Sequence, residues 1–310
     1  MKNKIIKHWR VYLGLTVSVL AILFIIFQWD AIIRSLQAVS NANWVYVTFS
    51  FIIFATTVIA AATIVYILKL APISYKNTVI VQTTGLFLGR VTPANVGSLA
   101  AMGRYLVLNK HSIVQSGTVL AAAAFATFVG NMLLSIFALI LNWKTIELGS
   151  IKIPPFIIFI LIIVVAIVAV VLLIFPKIRN KITKSIKEVK TTILAYSHKP
   201  RALVVAVILG ALLTLGFALT MMLVAYSLDV KLSIFAAIVT VSLGSLGVAV
   251  TPLPGGTVGA EAALAATLIQ FGVSAEQALA IALVYRFVTF WLPLLPGYIA
   301  SQYALNKKII

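Results

Sequence analysis

Apolar residues fall in long runs along this chain, separated by short polar segments. A helix needs about 20 apolar residues to cross a bilayer, so each long run predicts a membrane span. The predicted full spans are 11–29, 44–68, 111–141, 153–175, 202–226 and 278–305. The pattern therefore predicts an all-α polytopic membrane protein with six full transmembrane helices.

Two further apolar segments, 77–108 and 232–271, are interrupted by proline and glycine. The first break contains Asn95, and the second contains the pair Gly255-Gly256. The arms of the first segment are about eleven residues long and reach only ~16 Å as helix, which is too short to cross a bilayer. We expect each segment to form a re-entrant, broken-helix hairpin. A single kinked span at each break, giving eight transmembrane helices in all, is the alternative.

The sequences at the two breaks are related to each other. Aligning 91–93 (Val-Thr-Pro) with 250–252 (Val-Thr-Pro), with three extra residues in the second copy, places the Val-Gly pair 96–97 opposite 258–259. Five further identities follow in the same register, which indicates an internal repeat. The predicted repeat units, within one integral membrane domain, are 44–141 and 202–305.

Basic residues are unevenly divided between the two sides that this arrangement defines. If each hairpin returns to the side where it starts, both termini, the turns 68–77 and 109–111 and the linker 176–201 share one side with 17 Lys and Arg residues, against 4 on the other. The positive-inside rule makes the first side cytoplasmic, so both termini are predicted to be cytoplasmic. The hairpins then enter from opposite faces, which is an inverted repeat of the kind that transporters use. The basic linker is either a helix on the anionic leaflet or only a topology signal.

Composition supports the membrane class and narrows the chemistry. The 310 residues are 62% apolar and 10% charged, against about 25% charged in soluble domains. There is no cysteine, and the three histidines stand in polar segments without ligand spacing, so we expect no metal site and no cofactor. The sequence has no paired-carboxylate, His-Asp-Ser or phosphate-loop pattern, so we expect no enzymatic activity. The net charge of +18 is explained by the positive-inside bias rather than by nucleic-acid binding.

Polar residues inside the apolar segments are the candidate functional residues, because a charge at membrane depth is costly. Arginine suits phosphate, since its planar guanidinium group can donate two parallel hydrogen bonds. The alternative for Arg90 and Arg104 is snorkelling to the cytoplasmic interface, and for Glu261 it is capping a helix N-terminus. The candidate substrate-binding residues are Arg90, Asn95, Arg104, Gly255, Gly256, Glu261, Tyr285, Arg286 and Thr289.

Glu261 and Arg286 are expected to lie close together. Both occur in the second repeat unit, and the alignment places Leu99 and Ala124 at the equivalent positions of the first. Two opposite charges that are present together in one copy and absent together from the other are best explained as partners. We therefore predict that they approach within salt-bridge or one-water distance when no substrate is bound.

Three stretches of the second unit carry a family resemblance: 251–264 (Thr-Pro-Leu-Pro-Gly-Gly-Thr-Val-Gly-Ala-Glu-Ala-Ala-Leu), 271–278 and 285–293 (Tyr-Arg-Phe-Val-Thr-Phe-Trp-Leu-Pro). They resemble the lysylphosphatidylglycerol synthase transmembrane-region family, also described as flippase-like domain proteins. The best-known relative is the flippase half of the multiple peptide resistance factor. The stretch 92–97 followed by Arg104 is similar to the family's upstream motif. The resemblance implies Arg104, Glu261 and Arg286 as polar site residues.

The resemblance also implies a protein of the bacterial cytoplasmic membrane that translocates a lipid. We expect a flippase that moves a phospholipid or lipid-linked headgroup, with membrane lipids, above all anionic phospholipid headgroups, as partners. With the chain ending at Ile310, the cytosolic aminoacyl-transferase domain of bifunctional relatives is not expected. The alternatives are a membrane subunit of a lipid-modifying enzyme and a transporter of a small soluble anion. A homo-oligomer and a separate lipid-modifying enzyme are further partners left open.

Overall fold

The computed structural model describes residues 29–92, 95–141, 199–250 and 259–310, together with the isolated residues 19, 23, 26, 27 and 196. Throughout these residues the regular structure is helical. The elements in chain order are α1 Trp29–Ser40, α2 Trp44–Ile67, α3 Tyr75–Val91, α4 Val96–Leu108, α5 Ile113–Leu141, α6 Pro200–Tyr226, α7 Ile234–Val250, α8 Gly259–Gln270, α9 Ala275–Arg286, a π-helical segment Phe287–Trp291, and α10 Leu294–Asn306.

Within the described residues, four helical stretches are long and apolar enough to cross a membrane. They are Trp44–Ile67, Ile113–Ala138, Pro200–Tyr226 and Ala275–Asn306. They correspond to four of the six predicted full spans. The chain is a membrane protein, and its described part is all-helical. The predicted spans 11–29 and 153–175 and the basic linker 176–201 lie wholly or almost wholly outside the described residues, as does the Gly255-Gly256 pair.

Each predicted break separates two short helices that pack against each other in antiparallel fashion. In the first pair, α3 and α4, Gly85 faces Ser98, and Gly97 faces the carbonyl group of Leu88. A Cβ atom at Gly85 would lie 2.6 Å from Ser98 Oγ, so the two backbones are in close contact. Glycine at such positions lets helices approach closely in a membrane.

The second pair, α7 and α8, is joined in the same way. A Cβ atom at Gly247 would lie 2.6 Å from the Gly259 carbonyl oxygen and 2.7 Å from the Ala263 Cβ atom. Gly244 faces Leu264 one turn away. Both broken segments are therefore close-packed helical hairpins whose contact faces are lined by glycine.

Polar side chains fix the chain at the turns. At the first break, Thr92 Oγ1 donates to the Leu88 carbonyl oxygen at 2.7 Å and accepts from the Gly97 N–H at 2.8 Å, which caps the start of α4. After α4, the buried His111 ring accepts through Nε2 from the N–H groups of Leu70 and Ala71, at 3.2 and 3.1 Å. This bonding ties the α2–α3 turn to the α4–α5 turn.

The apolar core has two parts. The larger part is built by α6, α7, α8 and α9 with residues of α1 and the first half of α2, and the second by α3, α4 and α10 with the second half of α2 and parts of α5 and α6. Long helices cross at small residues, with Gly130 of α5 against Gly210 of α6. The last helix, α10, packs on α3 through Gly297, where a Cβ atom would lie 2.9 Å from Phe87 Cβ. The first hairpin and the end of the chain are thereby held together.

Candidate functional site

The last span is not a continuous α-helix. It changes to a π-helical turn at Phe287–Trp291 before α10 begins. Pro293 has no N–H group, so the carbonyl group of Thr289, four residues earlier, has no α-helical donor. The Leu292 N–H instead bonds to the carbonyl oxygen of Phe287 at 2.9 Å, five residues back. Such π-turns occur often at functional sites, and this one exposes a backbone acceptor in the middle of a span.

Arg90 occupies the acceptor that Pro293 leaves open. It lies in the last turn of α3, and its guanidinium group donates to the carbonyl oxygens of Leu86 in its own helix and of Thr289 in the π segment. Arg90 does not simply snorkel to the membrane interface, because its guanidinium group forms a hydrogen bond with the last span. The side chain thus links the first hairpin to the π segment.

Phe290 brings two arginines to one aromatic ring. The Cζ atom of Arg286 lies 4.0 Å from the ring centroid, and that of Arg90 lies 5.4 Å from it. Phe290 itself is only 2% exposed. Cation–π attraction is strengthened where water is excluded, so the ring offsets part of the repulsion between the two guanidinium groups.

Glu261 provides the opposite charge. Its Oε1 atom lies 3.7 Å from Arg286 Nε, and the two side chains are 13% and 8% exposed, respectively. The predicted approach of Glu261 and Arg286 is thereby confirmed. Glu261 also lies in the first turn of α8, where a carboxylate interacts favourably with the helix dipole. The capping interpretation and the pairing interpretation are therefore both compatible with the structure.

The resulting charged cluster consists of Arg90, Glu261 and Arg286 around Phe290. It joins α3 from the first hairpin, α8 from the second and the interrupted last span. Its three side chains carry one net positive charge. When the oxygen of an anion replaces an internal oxygen ligand at such a site, each guanidinium group keeps a partner.

The other predicted site residues have different surroundings. Tyr285 and Thr289 are buried beside the cluster, but the Thr289 hydroxyl group donates to the Tyr285 carbonyl oxygen at 2.8 Å, so Thr289 serves Arg90 through its backbone. Arg104 is exposed on α4 and does not share the buried surroundings of the cluster. Asn95 is exposed in the first break, in a left-handed conformation with φ 58°, and its side chain packs on Gly89.

Sequence reasoning missed Phe290 and Pro293. The signal was present in the run 286–293 (Arg-Phe-Val-Thr-Phe-Trp-Leu-Pro), because a proline four residues after Thr289 must free that carbonyl group. Among the described residues, no group of three or more His, Cys, Asp or Glu side chains is placed to hold a metal ion.

A comparison with curated proteins gave no match. Residues 11–297, which include every element of the charged cluster, match the sequence profile of the family described as lysylphosphatidylglycerol synthase TM region. The protein is thus a membrane protein tied to lipid handling, and the chain belongs to the lysylphosphatidylglycerol synthase TM region family.

Proposed function

We propose that this protein is a lipid flippase of the bacterial cytoplasmic membrane, moving a phospholipid or lipid-linked headgroup between leaflets. The observation that carries the proposal is the charged cluster, in which two arginines and one carboxylate meet inside an apolar helical protein. Charges at this depth are costly and usually mark a substrate pathway. The family's tie to lipid handling favours a lipid as the substrate.

A phosphate group is the chemistry that fits the two arginines best. Its oxygens can replace the Thr289 carbonyl oxygen at Arg90 and the Glu261 carboxylate at Arg286. Arginine gives a planar fork of donors to such an anion and stays charged when buried. The internal ligands keep both guanidinium groups partnered when the site is empty, so the headgroup can leave again.

We further propose that the two hairpins are re-entrant and related by an inverted repeat. The helices of the first have 17 and 13 residues and those of the second 17 and 12, so each spans only about 18–26 Å of an apolar core about 30 Å thick. The repeat alignment also pairs Gly85 with Gly244, and it pairs the Leu88–Gly97 contact with the Gly247–Gly259 contact. Equivalent positions thus join the two arms in each unit.

The uneven distribution of basic residues gives the proposed orientation of the two hairpins in the membrane. With both termini cytoplasmic, the first hairpin enters from the cytoplasm and the second from outside. The charged cluster then lies where the two hairpins approach each other, as in transporters whose broken helices meet near the midplane. A headgroup could pass the cluster while its acyl chains stay in the bilayer.

Reconstitution into vesicles tests the function. Purified protein should speed the exchange of a fluorescent phospholipid between leaflets, measured by chemical quenching of the outer leaflet, and Arg286→Gln should abolish that gain. Arg201→Gln, which removes an exposed arginine at the start of α6, is the matched control and should retain it.

A parallel arm with soluble phosphate separates the alternatives. Uptake of phosphate without lipid exchange would indicate a transporter of a small soluble anion. Neither activity, from protein that elutes as a single folded species, would overturn the flippase proposal and favour a membrane subunit of a lipid-modifying enzyme.

A further inference from the structure

A second polar site lies between α1 and α9, outside the charged cluster. The two helices enclose an open groove of about 310 Å³, which is within the range of small-ligand sites. Arg34, Gln37 and Asn41 line it from α1 and its end, and Glu276 and Leu283 line it from α9. None of these residues belongs to the candidate set chosen from the sequence.

The directions of α1 and α9 distinguish the two ends of the groove, an outer mouth and an inner end. Ile32, near the start of α1, packs with Phe290 and Trp291 of the π segment, which follows α9. Because α1 packs along α9 from that point, the two helices are antiparallel. Asn41 and Glu276 therefore lie at the mouth, where α1 ends and α9 begins. Arg34 lies toward the inner end with Leu283, which is three residues before Arg286.

The two charged residues of the groove do not neutralise each other. Within the described part of the chain, neither Arg34 nor Glu276 makes an ion pair or a hydrogen bond. Glu276 is not needed to cap α9 either, because Ser274 accepts from the Gln277 N–H and also bonds to the Gln277 side chain. A cation and an anion that share one groove without pairing present complementary charges to a ligand that carries both signs.

We propose that the groove between α1 and α9 binds a zwitterionic group, with a phosphate on Arg34 and an ammonium on Glu276. The amide side chains of Gln37 and Asn41 supply hydrogen bonds between the two charges. The charge bias places the mouth at the outer surface, so the order of the groups, with the ammonium outermost and the phosphate deeper, is that of a zwitterionic phospholipid in the outer leaflet. That the ligand is a lipid rests on the proposed function. In that proposal, the headgroup binds in the groove first and then moves about one helical turn further to the charged cluster.

Native mass spectrometry of the purified full chain tests the site with phosphatidylethanolamine, phosphatidylglycerol and acyl-free phosphoethanolamine as probes. Glu276→Gln should weaken phosphatidylethanolamine binding about five- to tenfold, because it removes a charge-assisted contact, and should leave phosphatidylglycerol binding unchanged. Arg34→Gln should weaken the binding of both lipids. Asp229→Asn and Lys231→Gln, which remove one charge each from the exposed α6–α7 loop, are matched controls and should change neither.

The acyl-free probe identifies the source of the ligand. If phosphoethanolamine displaces the lipid at equal concentration, the site stands and its ligand is a soluble zwitterion. If it does not, the ligand is the lipid. Equal binding of both lipids to wild type, Glu276→Gln and Arg34→Gln would overturn the site.

The failure of the groove and the failure of the flippase proposal are distinguishable. Arg286→Gln should lose lipid exchange but keep the preference for phosphatidylethanolamine, because Arg286 does not line the groove. If the wild type exchanges lipid but the groove variants bind both lipids as the wild type does, only the proposal of a binding site in the groove is refuted. If the groove variants lose lipid binding as predicted but the wild type does not exchange lipid, only the flippase proposal is refuted.

Discussion

The guanidinium group of Arg90 donates a hydrogen bond to the carbonyl oxygen of Thr289, 199 residues further along the chain. The bond exists because Pro293 cannot supply the helical N–H that would otherwise occupy that oxygen. The missing N–H group of Pro293 in the last span thus leaves a backbone partner for Arg90, a partly buried cation of the first hairpin. Phe290, which belongs to the π segment, lies beside both guanidinium groups.

Replacing Pro293 tests that relationship. Pro293→Ala restores an N–H group that can bond to the Thr289 carbonyl oxygen and compete with Arg90. We expect lipid exchange in vesicles to fall about tenfold while the protein stays folded, because alanine is compatible with a continuous helix at this position. Pro296→Ala, which leaves Pro293 in place, is the control and should exchange lipid normally. Equal activity of both variants would show that the π turn is not needed.

The pairing of Glu261 with Arg286 can be measured by a double-mutant cycle on the free energy of unfolding. Removing one partner of a buried pair costs about 3–5 kcal/mol, because the other charge is left unpaired. At a separation of 3.7 Å and with slight exposure of both side chains, we expect the lower end for Glu261→Gln and for Arg286→Gln. The double variant should lose less than the sum of the two. Additive losses would contradict the pairing.

Gly97 tests the close packing of the first hairpin. A Cβ atom there would overlap the Leu88 carbonyl group, which belongs to the backbone and cannot move aside. We expect Gly97→Ala to destabilise the protein by about 1–3 kcal/mol in unfolding measurements. Gly117→Ala in α5 is the matched control, because nothing lies within 4 Å of its Cβ position, and it should be neutral or stabilising by up to about 1 kcal/mol. If the two substitutions changed stability equally, Gly97 would not be in close contact with α3.

Cysteine labelling decides whether the first broken segment is a hairpin from one side or a full span. Lys76 and Lys110 are exposed at the two ends of the α3–α4 pair. In a re-entrant hairpin, Lys76→Cys and Lys110→Cys react with an impermeant thiol reagent from the cytoplasmic side only. Lys231→Cys, before the second hairpin, should react from outside only. Labelling of positions 76 and 110 from opposite sides would establish the arrangement with eight transmembrane helices instead.

The long spans and both breaks could be predicted from the sequence because they depend on local composition. Runs such as 44–68 are apolar throughout, and Pro93 and Gly97 interrupt a segment whose arms are too short to cross. The pairing of Glu261 with Arg286 was also accessible, since two opposite charges in apolar surroundings need each other. These inferences require no knowledge of how the helices are arranged.

The contacts of Arg90 could not be predicted in this way. Its partner is a backbone oxygen, and which of the many carbonyl groups it reaches depends on how α3 packs against α10 and the π segment. The groove between α1 and α9 likewise depends on tertiary packing. In the sequence alone, Arg34 and Glu276 each fall in a short polar segment like those of an ordinary protein surface. Arg104 and Arg90 both lie beside the first break in the sequence, but Arg104 is on the exposed face of α4, whereas Arg90 is partly buried.

Photocrosslinking tests the central claim, that a lipid headgroup enters the charged cluster of Arg90, Glu261 and Arg286. The measurement uses the full chain in bilayers with a phospholipid that carries a photoreactive group next to its phosphate, followed by peptide mass spectrometry. The account predicts adducts within 86–90 and 285–291 that are lost in Arg286→Gln and kept in Arg201→Gln. Adducts confined to the exposed ends of the helices and unchanged by Arg286→Gln would contradict it.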